Sequence, residues 1–276
     1  MKINYGKLCM YFVAVALAFF ISNPACAAGK QIKVKGSTTI LSIAQATAEE
    51  FMGENNYITL SIQGGGSGVG IASLIDGACD IAISSRKIKD EEVKKAAVKG
   101  VKVNETPIAI DGIAVIIHPK NKVKELTKQQ IKDIYTGKIN DWSDVGGEKR
   151  KIVVVNRDSA SGTFEAFNTL ALNMEKVRRD ALQCASNQAV AMTISMTPGG
   201  IGYIGHGYLS NKVKDIGVNG LRPTRDNILT GKYPLSRVLY MYTNGKPQGG
   251  TKQFIDFMLG PQGKKHIVSE GFIPIK

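Results

Sequence analysis

The apolar residues of this chain fall into short β-branched runs that alternate with segments of helical periodicity. The runs at 31–35, 57–63 and 79–83 are predicted to be strands. Each is followed by a turn rich in Ser, Thr or Gly and then by a helical segment, as at 40–52. This rhythm predicts an α/β fold with a mostly parallel sheet, whose ligand sites lie at the carboxyl ends of the strands.

Two longer extended segments suggest a second lobe. Residues 107–119 are long enough for a strand that crosses between lobes, and 238–243 can carry the chain back. Helices are predicted at 126–135, capped by Thr127 and ended by Gly137, and at 176–186, which is polar.

The turn Arg157–Thr163 stands between the apolar run 152–155 and a helix predicted over 164–172. A helix N-terminus carries amides without intrahelical partners and a positive dipole end, so it receives oxyanions readily. A guanidinium adds a fork that can bind two oxygens at once. For this turn alone, an ordinary helix cap with Ser161 capping and Arg157 solvated explains the residues equally well.

Three other turns share this chemistry, at 36–39, 64–68 and 84–86. Glycine lets a ligand approach the main chain, and Ser and Thr add hydroxyl donors. No Gly-Lys-Ser/Thr follows the glycine-rich turn, so the phosphate-binding loop of nucleotide hydrolases is absent. Four such turns in one chain therefore favour a site for a small oxyanion.

The first residues predict export. A basic start, an apolar run at 10–21 and a small-x-small site indicate a signal peptide over 1–27, with lipidation of Cys26 as the alternative. The apolar run is shorter than the roughly 20 residues of a spanning helix, so a permanent membrane anchor is not expected. Removal of residues 1–27 leaves 249 residues and lowers the net charge from +13 to +11.

The net charge and the remaining cysteines and histidines argue against three further features: nucleic-acid binding, a disulfide framework and a metal site. The positive excess suits an anionic partner, but the lysines are scattered without aromatic neighbours, which argues against nucleic acid. Cys79 and Cys184 are predicted to be two buried thiols rather than a disulfide framework. His118, His206 and His266 lack metal-ligand spacing, so neither a metal nor another cofactor is expected.

From about Val34 to Pro274 the chain resembles the periplasmic phosphate-binding proteins of phosphate ABC transporters. The stretches that carry the resemblance are Gly36–Thr39, Gln63–Gly68, Asp80–Arg86, Ile134–Trp142, Arg157–Thr163, Gly199–Tyr203, Tyr233–Arg237 and Gly260–Gly263. The resemblance implies a two-lobed periplasmic binding fold of type II. One lobe would hold residues 29–106 and 232–276, the other 107–231, with two crossing strands as the hinge.

The resemblance also implies a function and a site. The protein would be a periplasmic monomer, without enzymatic activity, that captures inorganic phosphate and delivers it to the membrane permease subunits of an ABC transporter. The residues expected around the ion are Ser37, Thr38, Thr39, Ser67, Ser85, Asp111, Arg157, Ser161, Gly162 and Thr163.

Two positions depart from the family pattern. Ser85 stands where better-studied members have an aspartate that accepts the phosphate proton and so helps to reject sulfate. Our hypothesis is that Asp111 takes this acceptor role; the alternative is that it is only a turn or hinge residue. Ser159 stands where those members have an acid paired with the arginine, and Asp158 is expected to replace that acid.

Other functions stay open at this point. The same fold binds other tetrahedral oxyanions, such as sulfate or molybdate, if its donors are tuned to them. A secreted phosphoryl-transfer or hydrolytic enzyme could use the same turns as a phosphate cradle, but the sequence shows no metal ligands and no paired nucleophile and base.

Overall fold

The computed structural model describes residues 30–275, which form a mixed α/β structure. The strands are β1 Lys30–Gly36, β2 Ile58–Gln63, β3 Ile81–Ser84, β4 Val103–Ile117, β5 Glu125–Leu126, β6 Val153–Arg157, β7 Leu182–Cys184, β8 Gly200–Gly205, β9 Lys214–Asp215, β10 Gly217–Val218, β11 Ser236–Asn244 and β12 Ile273–Pro274. The helices are α1 Leu41–Glu54, α2 Ser67–Ile75, α3 Asp90–Val98, α4 Lys128–Thr136, α5 Gly162–Leu172, α6 Asn187–Met196, α7 Arg225–Leu229, α8 Gly249–Leu259 and α9 Pro261–Ser269. The signal peptide predicted over 1–27, with Cys26 inside it, lies outside these residues.

The main sheet has two parallel ends joined by an antiparallel centre. Its strand order is β2-β1-β3-β11-β4-β8-β6-β7, with β9 and β12 added on β4. β1 is parallel to β3, and β6 is parallel to both β7 and β8. In the middle, β11 runs antiparallel to β3 and β4, and β4 runs antiparallel to β8. The predicted α/β rhythm is confirmed at both ends, and the long strands supply the antiparallel centre.

Strand β4 connects the two ends of the sheet. Its first part pairs with β11, from Val103 opposite Asn244 to Gly112 opposite Ser236. Its second part pairs with β8, from Ile113 opposite Gly205 to Ile117 opposite Ile201. The crossing strand predicted at 107–119 is therefore present, and Asp111 lies at the changeover between its two partners.

Side chains on the two faces of the sheet enter different hydrophobic clusters, as the period of two along a strand requires. On β4, Val115 faces the cluster around Trp142 and Phe167, whereas Ile116 faces the cluster beneath α6. The Trp142 indole Nε1–H also donates to the Gly199 carbonyl at 2.9 Å. Each end of the sheet is thus covered by helices on both sides, which fixes the strand ends relative to one another.

Local signals predicted α4 well but failed for residues 176–186. Thr127 accepts from the Gln130 amide, and Gly137 ends the helix in the left-handed conformation, as expected. The polar helix predicted at 176–186 is wrong. Arg178 N donates to the Tyr135 carbonyl, and Leu182–Cys184 pair with β6 as β7, so tertiary hydrogen bonds take the place of helical ones.

The two described cysteines are both free thiols. Cys79 is buried, which raises the pKa of its thiol to about 11, whereas Cys184 on β7 is only half-buried. The expectation of two buried thiols is therefore confirmed for Cys79 and too strong for Cys184. Within residues 30–275 no helix is long and apolar enough to cross a membrane.

Candidate anion-binding site

The turn between β6 and α5 combines a helix cap with a buried cation. The Ser161 hydroxyl accepts a hydrogen bond from the Phe164 amide at 3.2 Å, so it caps α5. Arg157, however, is only 1 % exposed and is not solvated. Ser161 therefore caps the helix, as both interpretations allow, but the buried Arg157 contradicts the ordinary-cap interpretation, which expected this side chain to be solvated.

Three further turns lie at the ends of β1, β2 and β3. Because β1 and β3 are parallel, with Gly36 opposite Ile83, their carboxyl ends lie at the same edge of the sheet. The hydroxyl-bearing residues expected there are all buried: Ser37, Thr38, Thr39, Ser67 and Ser85. Burial of so many hydroxyls is stable only where they find hydrogen-bonding partners.

These turns contact the turn before α5 directly. The Thr39 and Thr163 hydroxyls share a hydrogen bond at 2.9 Å. The Gly68 amide donates to the Ala160 carbonyl at 3.0 Å. The predicted donors from the two ends of the sheet therefore converge on one buried region.

At Gly162 the N-terminus of α5 comes very close to the hydroxyl groups of the turns from the other end of the sheet. A Cβ atom built at this position would lie 2.1 Å from the Ser67 Oγ and 2.9 Å from the Ser85 Oγ. These two hydroxyls are themselves 3.3 Å apart. No side chain larger than a hydrogen fits here, so the helix end can offer its backbone amides at the shortest distance.

Arg157 has only part of its hydrogen-bonding capacity filled by protein. Its Nε donates to the Cys184 carbonyl at 2.9 Å, and its Nη2 donates to the Ala185 carbonyl at 3.0 Å and to the Thr38 hydroxyl at 3.3 Å. Its buried Nη1 has no acceptor among the described residues. Burial lowers the pKa of this guanidinium, which still remains charged. A buried cationic donor without an acceptor is the feature that an anion would satisfy.

The expected acid next to Arg157 provides little compensation. Asp158 lies 3.8 Å from Arg157 Nη2, which is beyond hydrogen-bonding distance, and its side chain is 38 % exposed. Its carboxylate instead accepts from the Ala160 amide at 2.9 Å within the turn. Asp158 therefore shapes the turn more than it neutralises the guanidinium.

Asp111 lies behind Thr39 and is paired with Arg237. Its Oδ2 accepts from Arg237 Nε at 2.9 Å and from Nη2 at 2.7 Å, and its Oδ1 accepts from the His206 amide at 2.9 Å. Burial raises the pKa of this carboxyl, and the Arg237 guanidinium opposes the rise. Whether Asp111 also accepts the proton of a bound anion stays a prediction.

Sequence reasoning missed two residues that organise these hydroxyls. Asn187 is fully buried and donates to the Thr38 and Thr39 hydroxyls at 3.3 Å and 3.0 Å. Arg237 Nη2 reaches the Thr39 hydroxyl at 3.3 Å, and its Nη1 donates to the Ser85 carbonyl at 3.2 Å. Arg237 belongs to one of the stretches that carry the family resemblance, so that stretch was its available signal. Asn187 follows Ser186, which caps α6, and no sequence pattern marked it as a site residue.

The two buried arginines of the site differ in how well their charge is compensated. Arg237 is paired with the buried Asp111 at 2.7 Å, whereas Arg157 has only the half-exposed carboxylate of Asp158, at 3.8 Å. Together with the converging hydroxyls and the α5 N-terminus, this arrangement suits a small oxyanion that is surrounded by hydrogen-bond donors.

Comparison with known proteins agrees with this geometry. A family model described as a PBP superfamily domain matches residues 22–262. The phosphate-binding protein PstS of Bacillus subtilis is 33% identical over 250 residues, which cover 90% of this chain and 82% of the relative. The PstS of Borreliella burgdorferi is 34% identical over 259 residues, which cover 90% of this chain and 91% of that relative.

Solved structures show the same similarity. A Clostridium perfringens substrate-binding protein with bound phosphate has a TM-score of 0.84 and 33% identity, and the match covers 90% of this chain and 100% of that one. An ABC-type phosphate transport receptor from Vibrio cholerae has a TM-score of 0.74 and 32% identity, over 88% of this chain and 99% of that one. The chain therefore has the two-lobed α/β fold of a periplasmic binding protein and belongs to the PBP superfamily, within the family of the PstS phosphate-binding proteins.

Proposed function

We propose that this protein is an exported receptor, not an enzyme, that captures inorganic phosphate between two lobes and delivers it to the permease subunits of an ABC importer. The observation that carries the proposal is the buried Arg157, whose Nη1 has no acceptor among the described residues. The names of the relatives, PstS and phosphate transport receptor, support the same ligand and partner. One chain would suffice, because all the proposed ligating groups come from a single copy.

Desolvation of the phosphate ion determines how many hydrogen bonds the site must provide. A phosphate ion removed from water loses many hydrogen bonds, and binding is favourable only if the protein replaces them. Arg157 and Thr163 on one side and Thr38, Ser67 and Ser85 on the other supply donors from several directions. The remaining proposed contacts are Ser37, Thr39, Asp111, Ser161 and Gly162. In this arrangement Ser37 and Thr39 act mainly by positioning neighbouring donors, and Asp111 is the proposed acceptor of the phosphate proton.

The lobes would close by a hinge in the two long central strands. We place residues 29–106 and 232–276 in the first lobe and 107–231 in the second. A change of hydrophobic cluster along these strands supports such a hinge: Ile108 and Leu239 belong to the cluster of the first lobe, and Ile113 and Leu235 belong to that of the second. Because the bounds above assign Ile108 and Leu235 to the opposite lobes, the clusters favour a changeover a few residues further along each strand. The Gly68–Ala160 hydrogen bond and the Thr39–Thr163 contact would then form only on closure.

Titration calorimetry of purified protein with phosphate, arsenate, sulfate and molybdate tests the function. We expect tight phosphate binding, with arsenate close behind because it has the same shape and charge. Binding of sulfate or molybdate in preference to phosphate would favour the alternative of a receptor for another oxyanion. A phosphatase assay with and without divalent metal addresses the enzyme alternative, and turnover of a phosphate ester would contradict the proposal.

The acceptor role of Asp111 makes a separate prediction. In Asp111→Asn the phosphate proton loses its acceptor and the charge of Arg237 is no longer compensated, so a fully ionised anion is favoured. We expect the Kd for phosphate to rise by about 10-fold, or about 1.4 kcal/mol, and the preference for phosphate over sulfate to fall. Calorimetry with both anions measures this.

Asp226→Asn is the matched control, because Asp226 is exposed on α7. It makes the same change in net charge and should leave both affinities as they are. If Asp111→Asn is folded and keeps both the phosphate affinity and the discrimination of the original protein, Asp111 is a hinge residue and not an acceptor.

A further inference from the structure

We propose that Glu165, together with the two cations that face it, Arg86 and Lys89, forms a latch that slows the release of the bound anion. We call these three residues the Glu165 latch. The inference rests on the proposed function, because it concerns the lifetime of the closed complex. None of the three residues belongs to the proposed set of phosphate contacts.

The geometry of the latch spans the two halves of the molecule. Glu165 lies in the first turn of α5, and Arg86 and Lys89 lie between β3 and α3. Arg86 Nε is 2.9 Å and Lys89 Nζ is 2.8 Å from the same Glu165 oxygen, Oε2. In the proposed division of lobes, Glu165 is on one lobe and both cations are on the other. Opening of the cleft would therefore separate these charges.

Burial makes this contact stronger than an ordinary surface ion pair. The side chains of Arg86 and Glu165 are 7% and 19% exposed. Screening by water and salt is reduced at such depths, whereas fully exposed pairs contribute little. Arg86 Nε lies 2.9 Å from Glu165 Oε2, so the partly buried charges are in direct contact, and opening of the cleft would have to separate them.

A second carboxylate, that of Glu92, holds the Arg86 side chain in position before the lobes close. Glu92, on the same side as Arg86, accepts from both guanidinium Nη atoms at 2.8 Å and 2.7 Å. Arg86 is thus held in place whether or not Glu165 is near. A preorganised cation loses little conformational freedom when the lobes close, so more of its attraction to Glu165 is available to keep them closed.

Kinetics of release test the latch. Protein loaded with radioactive phosphate is chased with unlabelled phosphate, and the retained label is followed by rapid filter binding. We expect Glu165→Gln to raise the dissociation rate by about 3- to 10-fold and to change the association rate by less than about 2-fold, as is usual for contacts formed after encounter. Lys89→Gln should also speed release, by about 2- to 3-fold.

The two substitutions, Glu165→Gln and Lys89→Gln, distinguish a latch from a long-range electrostatic effect of these residues on the bound anion. If the residues acted only through their charges on the anion, Lys89→Gln would weaken binding and Glu165→Gln would strengthen it. A latch instead makes both variants release faster. In the double variant the effect of Lys89→Gln should largely disappear, because its partner is already neutral.

Glu175→Gln is the matched control. Glu175 pairs with Lys132 at 3.0 Å, and both residues lie within residues 107–231. It makes the same change in net charge without touching a contact between lobes, so its release rate should equal that of the original protein. Slower or unchanged release in Glu165→Gln, or equal acceleration in Glu175→Gln, would overturn the latch. Absence of phosphate binding in the original protein would instead overturn the proposed function.

Discussion

Arg157→Ala is expected to weaken phosphate binding severely without unfolding the protein. The substitution removes the buried cation and the donor that lacks a protein acceptor. Truncating one partner of a buried, hydrogen-bonded charge pair costs about 2–5 kcal/mol, which corresponds to a loss of affinity of at least about 30-fold. Calorimetry should therefore show a Kd raised by that factor or no binding heat.

Thermal unfolding separates this binding defect from misfolding. A ligand that binds only the native state raises the Tm, so the original protein should be stabilised by phosphate and the Arg157→Ala variant should not. The Tm without phosphate should change little, because loss of the carbonyl contacts is offset by removal of a desolvated charge. Arg150→Ala removes an exposed arginine and should keep the phosphate-induced shift. Arg157→Ala with near-normal affinity would refute the site.

Gly162→Ala is expected to block closure around the anion. The added Cβ would lie 2.1 Å from the Ser67 Oγ and 2.7 Å from the Ser67 Cβ, so the two turns must move apart. Overpacking of this kind costs about 1–3 kcal/mol, which predicts a Kd raised by about 5- to 150-fold. The backbone of Gly162 itself tolerates alanine, since it is the first residue of α5 and its φ is not positive.

A second glycine-to-alanine change provides the control for this prediction. Gly53 lies within α1, and a Cβ there meets nothing within 4 Å. Gly53→Ala should leave the phosphate affinity unchanged and, because alanine favours helices, should raise the free energy of unfolding slightly. Small-angle scattering should show Gly162→Ala remaining more extended than the control in saturating phosphate. If the two variants bind equally well, the close approach at Gly162 does not matter for capture.

Local patterns predicted the parts of the fold that depend on neighbours in sequence. The cap and stop of α4 at Thr127 and Gly137 involve residues three or four positions apart, so the sequence shows them directly. The polar turns at the strand ends were found in the same way. Residues 176–186 failed because their backbone partners, such as the Tyr135 carbonyl, are distant in the chain.

The arrangement around the hydroxyls also depends on distant partners. Asn187 and Arg237 reach Thr39 across 148 and 198 positions of sequence. Arg237 lies on β11 and not in a turn between a strand and a helix, so its only signal was its place in the stretch Tyr233–Arg237. Asn187 follows β7, a strand that the sequence pattern did not predict. The pairing of Asp111 with Arg237 likewise required the register of β4 against β11. The sequence therefore predicted that the ligand is a small oxyanion, but it did not predict that Arg237 neutralises Asp111 at the site.

The buried indole of Trp142 has a practical consequence for measuring this protein. Trp142 is the only tryptophan of the chain. Its indole donates to the Gly199 carbonyl, which also accepts from Val153 at the start of β6. Arg157 lies at the other end of that strand, about 13 Å away at the usual rise per residue. Tryptophan fluorescence should therefore report unfolding of this half of the molecule and stay silent when an anion is captured, so that one sample can yield stability optically and affinity by heat.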